Sequence, residues 1–216
     1  MTAQERKNKT EAFLFEHNIP FNAWLPVIEE EHEVMIREAK DIAKRVLILT
    51  YLNMVAETGD KGEKDEIIEF LQREQLWADV SEGEKKLFLK NKLTQKESVD
   101  ISWRSECIYL LLWVINKKDK VGLPTDQCVI SDLLRLLPGF LESTADFINS
   151  ASKRTTPEIL DMSDLLYRLH WAVRDASINH KDIPGNIEES VIQEWHYAIN
   201  WVTYYEDDWD DITTDT

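Results

Sequence analysis

The sequence predicts an all-α fold: a single compact domain of about eight helices in an orthogonal or bundle-like array, with an acidic C-terminal tail docked on it. Three observations point there. Only six Gly and six Pro occur in 216 residues, too few turn residues for a sandwich or barrel of short strands. Apolar residues recur at three-to-four spacing, and no segment alternates as a strand does. The apolar share is 43%, enough for a globular core without help from disulfides or metals, since a chain of this size buries roughly 70% of its unfolded surface.

Taken in order, the first helix is expected over Thr2–His17 and ends at Asn18-Ile19-Pro20. Pro20–Pro26 reads as a loop. A long helix follows over Glu29–Glu57, with Met35, Ala39, Ile42, Val46, Leu49 and Asn53 as its inner stripe and Ile36, Ala43 and Leu47 widening it. Glu33-Arg37 and Asp41-Arg45 are expected as i,i+4 pairs on its outer face. The turn Gly59-Asp60-Lys61-Gly62 stops it, and a helix over Lys64–Glu74 comes next. Ser81 with Glu84 and Thr94 with Glu97 are capping boxes, opening helices over Glu82–Lys92 and from Thr94 to Asn116. From Cys107 onward the latter is apolar on every side, which marks the buried central helix. Gly122-Leu123-Pro124 breaks the chain before helices over Asp126–Leu137 and Phe140–Ser150, separated by Pro138-Gly139. Thr156-Pro157 starts a helix reaching Ile178. After Pro184-Gly185-Asn186 a last helix runs over Ile187–Tyr204, and residues 206–216 form the acidic, aromatic tail. No repeat or linker divides residues 1–216.

The formal net charge is −16. It disfavours nucleic acid and anionic membranes as partners, because phosphate binding needs clustered Lys and Arg. A basic protein partner fits, since an acidic surface speeds encounter with it. Met1–Lys9 is polar and reads as no signal peptide, and no apolar stretch reaches the length of a membrane span. The expected location is therefore cytoplasmic. Cys107 and Cys128 lack disulfide or zinc spacing and read as inert buried thiols. There is no Gly-x-Ser-x-Gly elbow, phosphate loop, dinucleotide fingerprint or His-Glu-x-x-His pair, so no cofactor, metal or catalytic residue is assigned.

Three segments concentrate Trp with polar groups. In Trp103-Arg104-Ser105-Glu106, the charges of Arg104 and Glu106 are drawn toward the core, either as an ion-pair network or as an anion pocket. In the second, Asp164, Arg168, Trp171 and Asp175 form a stripe beside an apolar face. Asp164 can pair with Arg168 along the helix, and His170 with Arg174 forms a further row suited to packing or to an acid/base and anion clamp. In the third, His196, Asn200 and Thr203 share a face. A metal site joining His170, His196 and a tail carboxylate lacks ligand spacing. In the tail, Trp209 and Ile212 are expected to be buried. That places the carboxylates of Asp210, Asp211 and Asp215 near Arg104, Arg168 or Arg174.

Trp103-Arg104-Ser105-Glu106, Asp164-Leu-Leu-Tyr-Arg-Leu-His-Trp171, His196-Tyr-Ala-Ile-Asn-Trp201 and Trp209-Asp-Asp-Ile-Thr-Thr-Asp-Thr216 resemble an uncharacterised bacterial family, domain of unknown function 4272. The likeness runs from about Pro26 to the last residue and departs at Trp195, where the family pattern has Arg. The resemblance implies that the closing Trp-Asp-Asp…Asp-Thr belongs to the fold. It implies no activity. The residues themselves favour a non-enzymatic interaction protein of the immunity kind, neutralising a basic partner. The alternative is an enzyme or small-molecule binder with an Arg/His/carboxylate pocket between helices.

Overall fold

The computed structural model describes residues 1–58 and 60–216. Gly59, first residue of the expected turn, lies outside the described residues. Among the described residues there are nine α-helices and no strand. They are α1 (Ala3–Glu16), α2 (Ala39–Thr58), α3 (Lys61–Arg73), α4 (Glu82–Leu89), α5 (Gln95–Val114), α6 (Ile130–Leu134), α7 (Ala145–Asn149), α8 (Thr156–Ile178) and α9 (Glu189–Val202). Single 3₁₀ turns lie at Trp77–Asp79, Pro184–Asn186 and Trp209–Asp211.

Helix α5 is central, as its all-round apolar C-terminal half requires: Cys107, Ile108 and Leu110–Val114 are all buried. It packs between α2 and α9; α8 lies against α9, α1 against α8, and α3, α4 and α7 against α2. Nearly all of the buried apolar side chains form one contiguous cluster; Ala3, Leu160 and Ala176 lie outside it. The capping boxes at Ser81/Glu84 and Thr94/Glu97 form as expected, and Thr2 with Glu5 makes another. At α8 the cap is Thr155 rather than Thr156, with its N–H and hydroxyl bonded to the Glu158 carboxylate, and Pro157 falls in the second helical position.

The helix stops have a common device. In α1, α3, α5, α8 and α9 the chain turns left-handed at Asn18, Gln75, Asn116, His180 and Tyr204, each with φ between 52° and 60°. The next residue then donates back across the end: Ile19 to Leu14, Leu76 to Leu71, Lys117 to Leu112, Lys181 to Ala176 and Tyr205 to Asn200, at 2.8–3.0 Å. These are Schellman closures built without glycine. Ile19 and Leu76, which follow the turn, are buried and supply the apolar contact that offsets the left-handed backbone.

The structure corrects four boundaries. The long helix starts at Ala39, not Glu29, because residues 29–38 form a strap whose polar groups serve other elements. Glu30 Oε1 accepts from the Ala3 N–H at 2.9 Å, Glu31 pairs with Arg6 at 3.1 Å, and the Arg37 N–H donates to Val202 O at 3.0 Å. Met35 is exposed rather than core, and neither Glu33-Arg37 nor Asp41-Arg45 forms an ion pair. Asp60 caps α3 through the Glu63 N–H, which brings Lys61 and Gly62 into that helix instead of a turn. Helix α6 covers only the middle of 126–137, because the Cys128 N–H is taken by Glu106 Oε1 at 2.7 Å. Helix α7 covers only the end of 140–150. There Leu141 has φ 57° and gives its N–H to the Tyr51 hydroxyl, and Thr144 gives its N–H and hydroxyl to Glu74.

In residues 206–216, Trp209 and Ile212 are buried and belong to the core cluster. Asp210 reaches the start of α4, accepting from Ser81 Oγ and the Gly83 N–H, both at 2.7 Å. A Cβ on Gly83 would stand 2.9 Å from that carboxylate, so this approach needs glycine. Burying a large apolar side chain stabilises by roughly 1.5–3 kcal/mol. Deletion of residues 206–216 is therefore expected to lower the unfolding free energy by a few kcal/mol, read from denaturant midpoints. An unchanged melting curve would show that these contacts contribute nothing.

Candidate functional site

The polar residues singled out in the sequence separate into three places. The first surrounds Trp209. Arg104 donates from Nη1 to Glu194 Oε2 at 2.9 Å, and its guanidinium lies 4.6 Å from the Tyr197 ring centroid and 5.8 Å from that of Trp209. On the other side Arg45 stands 4.9 Å from the Trp209 centroid and donates twice to Glu84, at 2.8 and 2.6 Å. Arg37 stacks on Tyr204 at 3.9 Å and donates to the carbonyls of Trp201, Glu206 and Asp207. The Tyr197 hydroxyl donates to the Trp209 carbonyl. The tail is thus held by its backbone and its indole. Its carboxylates do not meet Arg104, Arg168 or Arg174, a correction: the arginines here recognise rings and carbonyls, Asp210 caps α4 and Asp211 is exposed.

Glu106 lies beneath α9 and makes no ion pair. Its carboxylate accepts from the Cys128 N–H and from Trp195 Nε1 at 3.0 Å, so two neutral donors satisfy a buried anion. Arg104 and Glu106 therefore belong to separate networks and form no anion pocket together. Cys107 donates toward Glu194, and burial pushes its thiol pKa well above the usual value. Burial, with Glu106 nearby, pushes that of Cys128 to about 12. Neither thiol ionises at neutral pH.

The second place is the seam of α1 with α8. Asp164 and Arg168, both fully buried, pair along the helix at 2.9 Å, and Arg168 Nη2 donates to Pro26 O at 3.0 Å. This pair pins the loop before the strap onto α8. It is closed to solvent.

The third place is a cleft of about 440 Å³ bounded by α8, α9, residues 26–29 and the last residues of the chain. It gathers His196, Asn200 and Thr203 from one face of α9, as their spacing requires, with Ser163 and Tyr167 from α8, Glu29 from the strap, Tyr205 and Asp215. Asn200 Nδ2 holds the closing segment through Thr213 O at 2.9 Å. Behind the wall, His170 Nδ1 meets His196 Nδ1 at 2.9 Å with the rings nearly perpendicular. One Nδ1 carries a proton and the other accepts it, so at least one ring is neutral. Burial, with the charge of Arg174 adding to it, lowers the His170 pKa to about 4; burial and His170 lower that of His196 to about 3. Arg174 itself is exposed, and neither it nor His170 lines the cleft, so their row does not serve this cleft in the alternative role of acid/base and anion clamp. Among the described residues no three His, Cys, Asp or Glu groups are placed to hold a metal ion.

The sequence missed Arg37, Arg45, Ser163 and Tyr167. The arginines sat on a face expected to be solvated, and only the positions of α4 and α9 turn it inward. Ser163 and Tyr167 flank the Asp164-Arg168 stripe and carried no signal of their own.

The imidazole shifts give a pH dependence. An unfolded His titrates near 6.5, so as pH falls below that value the unfolded chain takes up protons that the folded pair refuses. This stability is complete above about pH 6.5 and drains as pH falls through about 4 toward about 3. Imidazole resonances are expected to show both rings neutral at about pH 5.5, and a His170→Gln/His196→Gln variant to lose less stability than wild type between about pH 7 and 5. Protonated rings in the folded protein at that pH would contradict the burial argument.

No curated protein and no solved structure matches the chain. The family model described as a domain of unknown function, DUF4272, matches residues 6–212. With nearly its whole length covered, and with the segments that carry the resemblance lying inside or beside that match, the chain belongs to the DUF4272 family.

Proposed function

We propose that this protein is a binding protein, with the cleft between α8 and α9 as its small-molecule site. One observation carries the reading. His196 is 3% exposed and lines the cleft, yet it spends only Nδ1 within the protein; Nε2 has no protein partner. Nε2 is not enclosed: among the described residues the buried side-chain atoms without a partner are on Arg6, Glu11, Arg45 and Arg168, so Nε2 opens to the cleft, where water or a ligand can reach it. Ser163, also buried in the lining, is likewise without a side-chain hydrogen bond to the protein. Binding fits better than catalysis, because imidazoles titrating at about 4 and about 3 are poor proton acceptors at neutral pH. The unpaired thiols suit a cytoplasmic setting.

A fragment library observed by protein NMR tests this reading. Hits should perturb His196 and Tyr167 together and raise the melting temperature with ligand concentration. A His196→Phe variant should lose them while staying folded. A library whose hits all fall elsewhere would remove the cleft as the site.

A second reading, an interaction with a basic protein, is supported by the distribution of charge. Arg6, Lys7, Arg45, Lys64 and Arg168 are buried, against Glu84, Glu106 and Asp164. More cations than carboxylates are withdrawn, so the outer surface is more acidic than the net −16. Association with such a partner should slow steeply with added salt. A complex captured from source-cell lysate with salt-independent association would contradict it.

A further inference from the structure

We propose that the α8–α9 cleft selects an organic cation, a ligand bearing an ammonium or guanidinium group. The inference rests on the cleft being a ligand site and goes beyond it by naming the chemistry. Among the described residues the charged side chains in the lining are the carboxylates of Glu29 and Asp215, both exposed, and no Lys or Arg lines it. Arg168, close behind, is neutralised by Asp164 and further engaged by Pro26 O. An anion entering here would meet two carboxylates and no counter-charge. A cation would meet the carboxylates and two aromatic side chains, Tyr167 and Tyr205; the Tyr167 ring already has the Arg168 guanidinium 5.8 Å from its centroid.

The histidine pair supplies the independent feature. When His196 Nδ1–H donates to His170 Nδ1, the free Nε2 of His196 is a bare acceptor in the cleft lining, ready for an N–H of the ligand. The ligand then fixes the tautomer of both rings. Because neither imidazole carries a charge, the pair adds no repulsion. An ammonium or guanidinium thus finds a ring-nitrogen acceptor and carboxylates in one cleft, whereas a neutral isostere gains only the hydrogen bond.

Matched probes on the full chain decide it. Guanidinium is compared with urea, methylammonium with methanol, and acetate serves as the anion. Binding is read from the shifts of His196 and Tyr167 at fixed ionic strength. The cations are expected to bind about tenfold or more tightly than their neutral partners, with acetate undetectable. The preference should vanish in a Glu29→Gln/Asp215→Asn variant. A capped arginine binding as well as guanidinium would assign the cation to a side chain of a protein; exclusion of the capped form would assign it to a free metabolite. Urea and guanidinium binding alike would overturn the cation inference and leave the cleft as a ligand site. A cation preference that survives in the double variant would also overturn it, by tracing the preference to the overall negative charge. No cleft shift with any probe would overturn both readings.

Discussion

Arg45 holds a cation in the interior, at 6% exposure, where an unpaired charge would cost several kcal/mol. Its partner Glu84 is buried too and accepts two hydrogen bonds from it. Glu84 is also the capping residue of α4, receiving the Ser81 N–H at 2.9 Å. One carboxylate therefore starts a helix and neutralises a core arginine, which ties α4 to α2. The same arginine donates to Asp79 O at 2.8 Å and faces Trp209. The turn at 77–79, the start of α4 and the tail are consequently placed by a single guanidinium. Asp210 completes the arrangement by reaching back to Ser81 and Gly83.

A comparable logic governs the opposite side. The Asp164-Arg168 pair fixes the loop before the strap, and the strap in turn caps α1 through Glu30 and binds Arg6 through Glu31. The strap's inner end then forms one lip of the cleft. Buried ion pairs are weak sources of net stability, and these are not fully satisfied: Arg6 Nη1, Arg45 Nε and Arg168 Nη1 are buried without a hydrogen-bond partner. Here they decide where irregular segments lie, which helix packing alone leaves open. The cleft is what remains between elements positioned this way, and His196, backed by His170, forms part of its inner wall.

The legible parts of the fold were those set by local chemistry. Ser81 with Glu84 and Thr94 with Glu97 start helices wherever they occur, because the reciprocal bonds span only three residues. The apolar run from Cys107 marks α5 as central without reference to any neighbour. The stops of α1, α3, α5, α8 and α9 were legible to within two residues, but not their device: all five close on Asn, Gln, His or Tyr in a left-handed conformation, not on glycine. The strap at 29–38 was misread for a related reason. Its composition suits a helix, and what unwinds it is the set of contacts with α1 and α9, which window periodicity does not contain.

By itself, then, the sequence determined the class, the central helix, the helix starts marked by capping boxes and the burial of Trp209, since propensity, capping and apolar periodicity act within a few residues. Tertiary structure alone decided which charges meet. Arg45 found Glu84 rather than Asp41, Glu106 found two neutral donors rather than Arg104, and His170 met His196 across two helices. Those choices belong to interactions between side chains distant along the chain, whose partners are fixed only once the helices have packed and the cost of an unpaired buried group is applied to each.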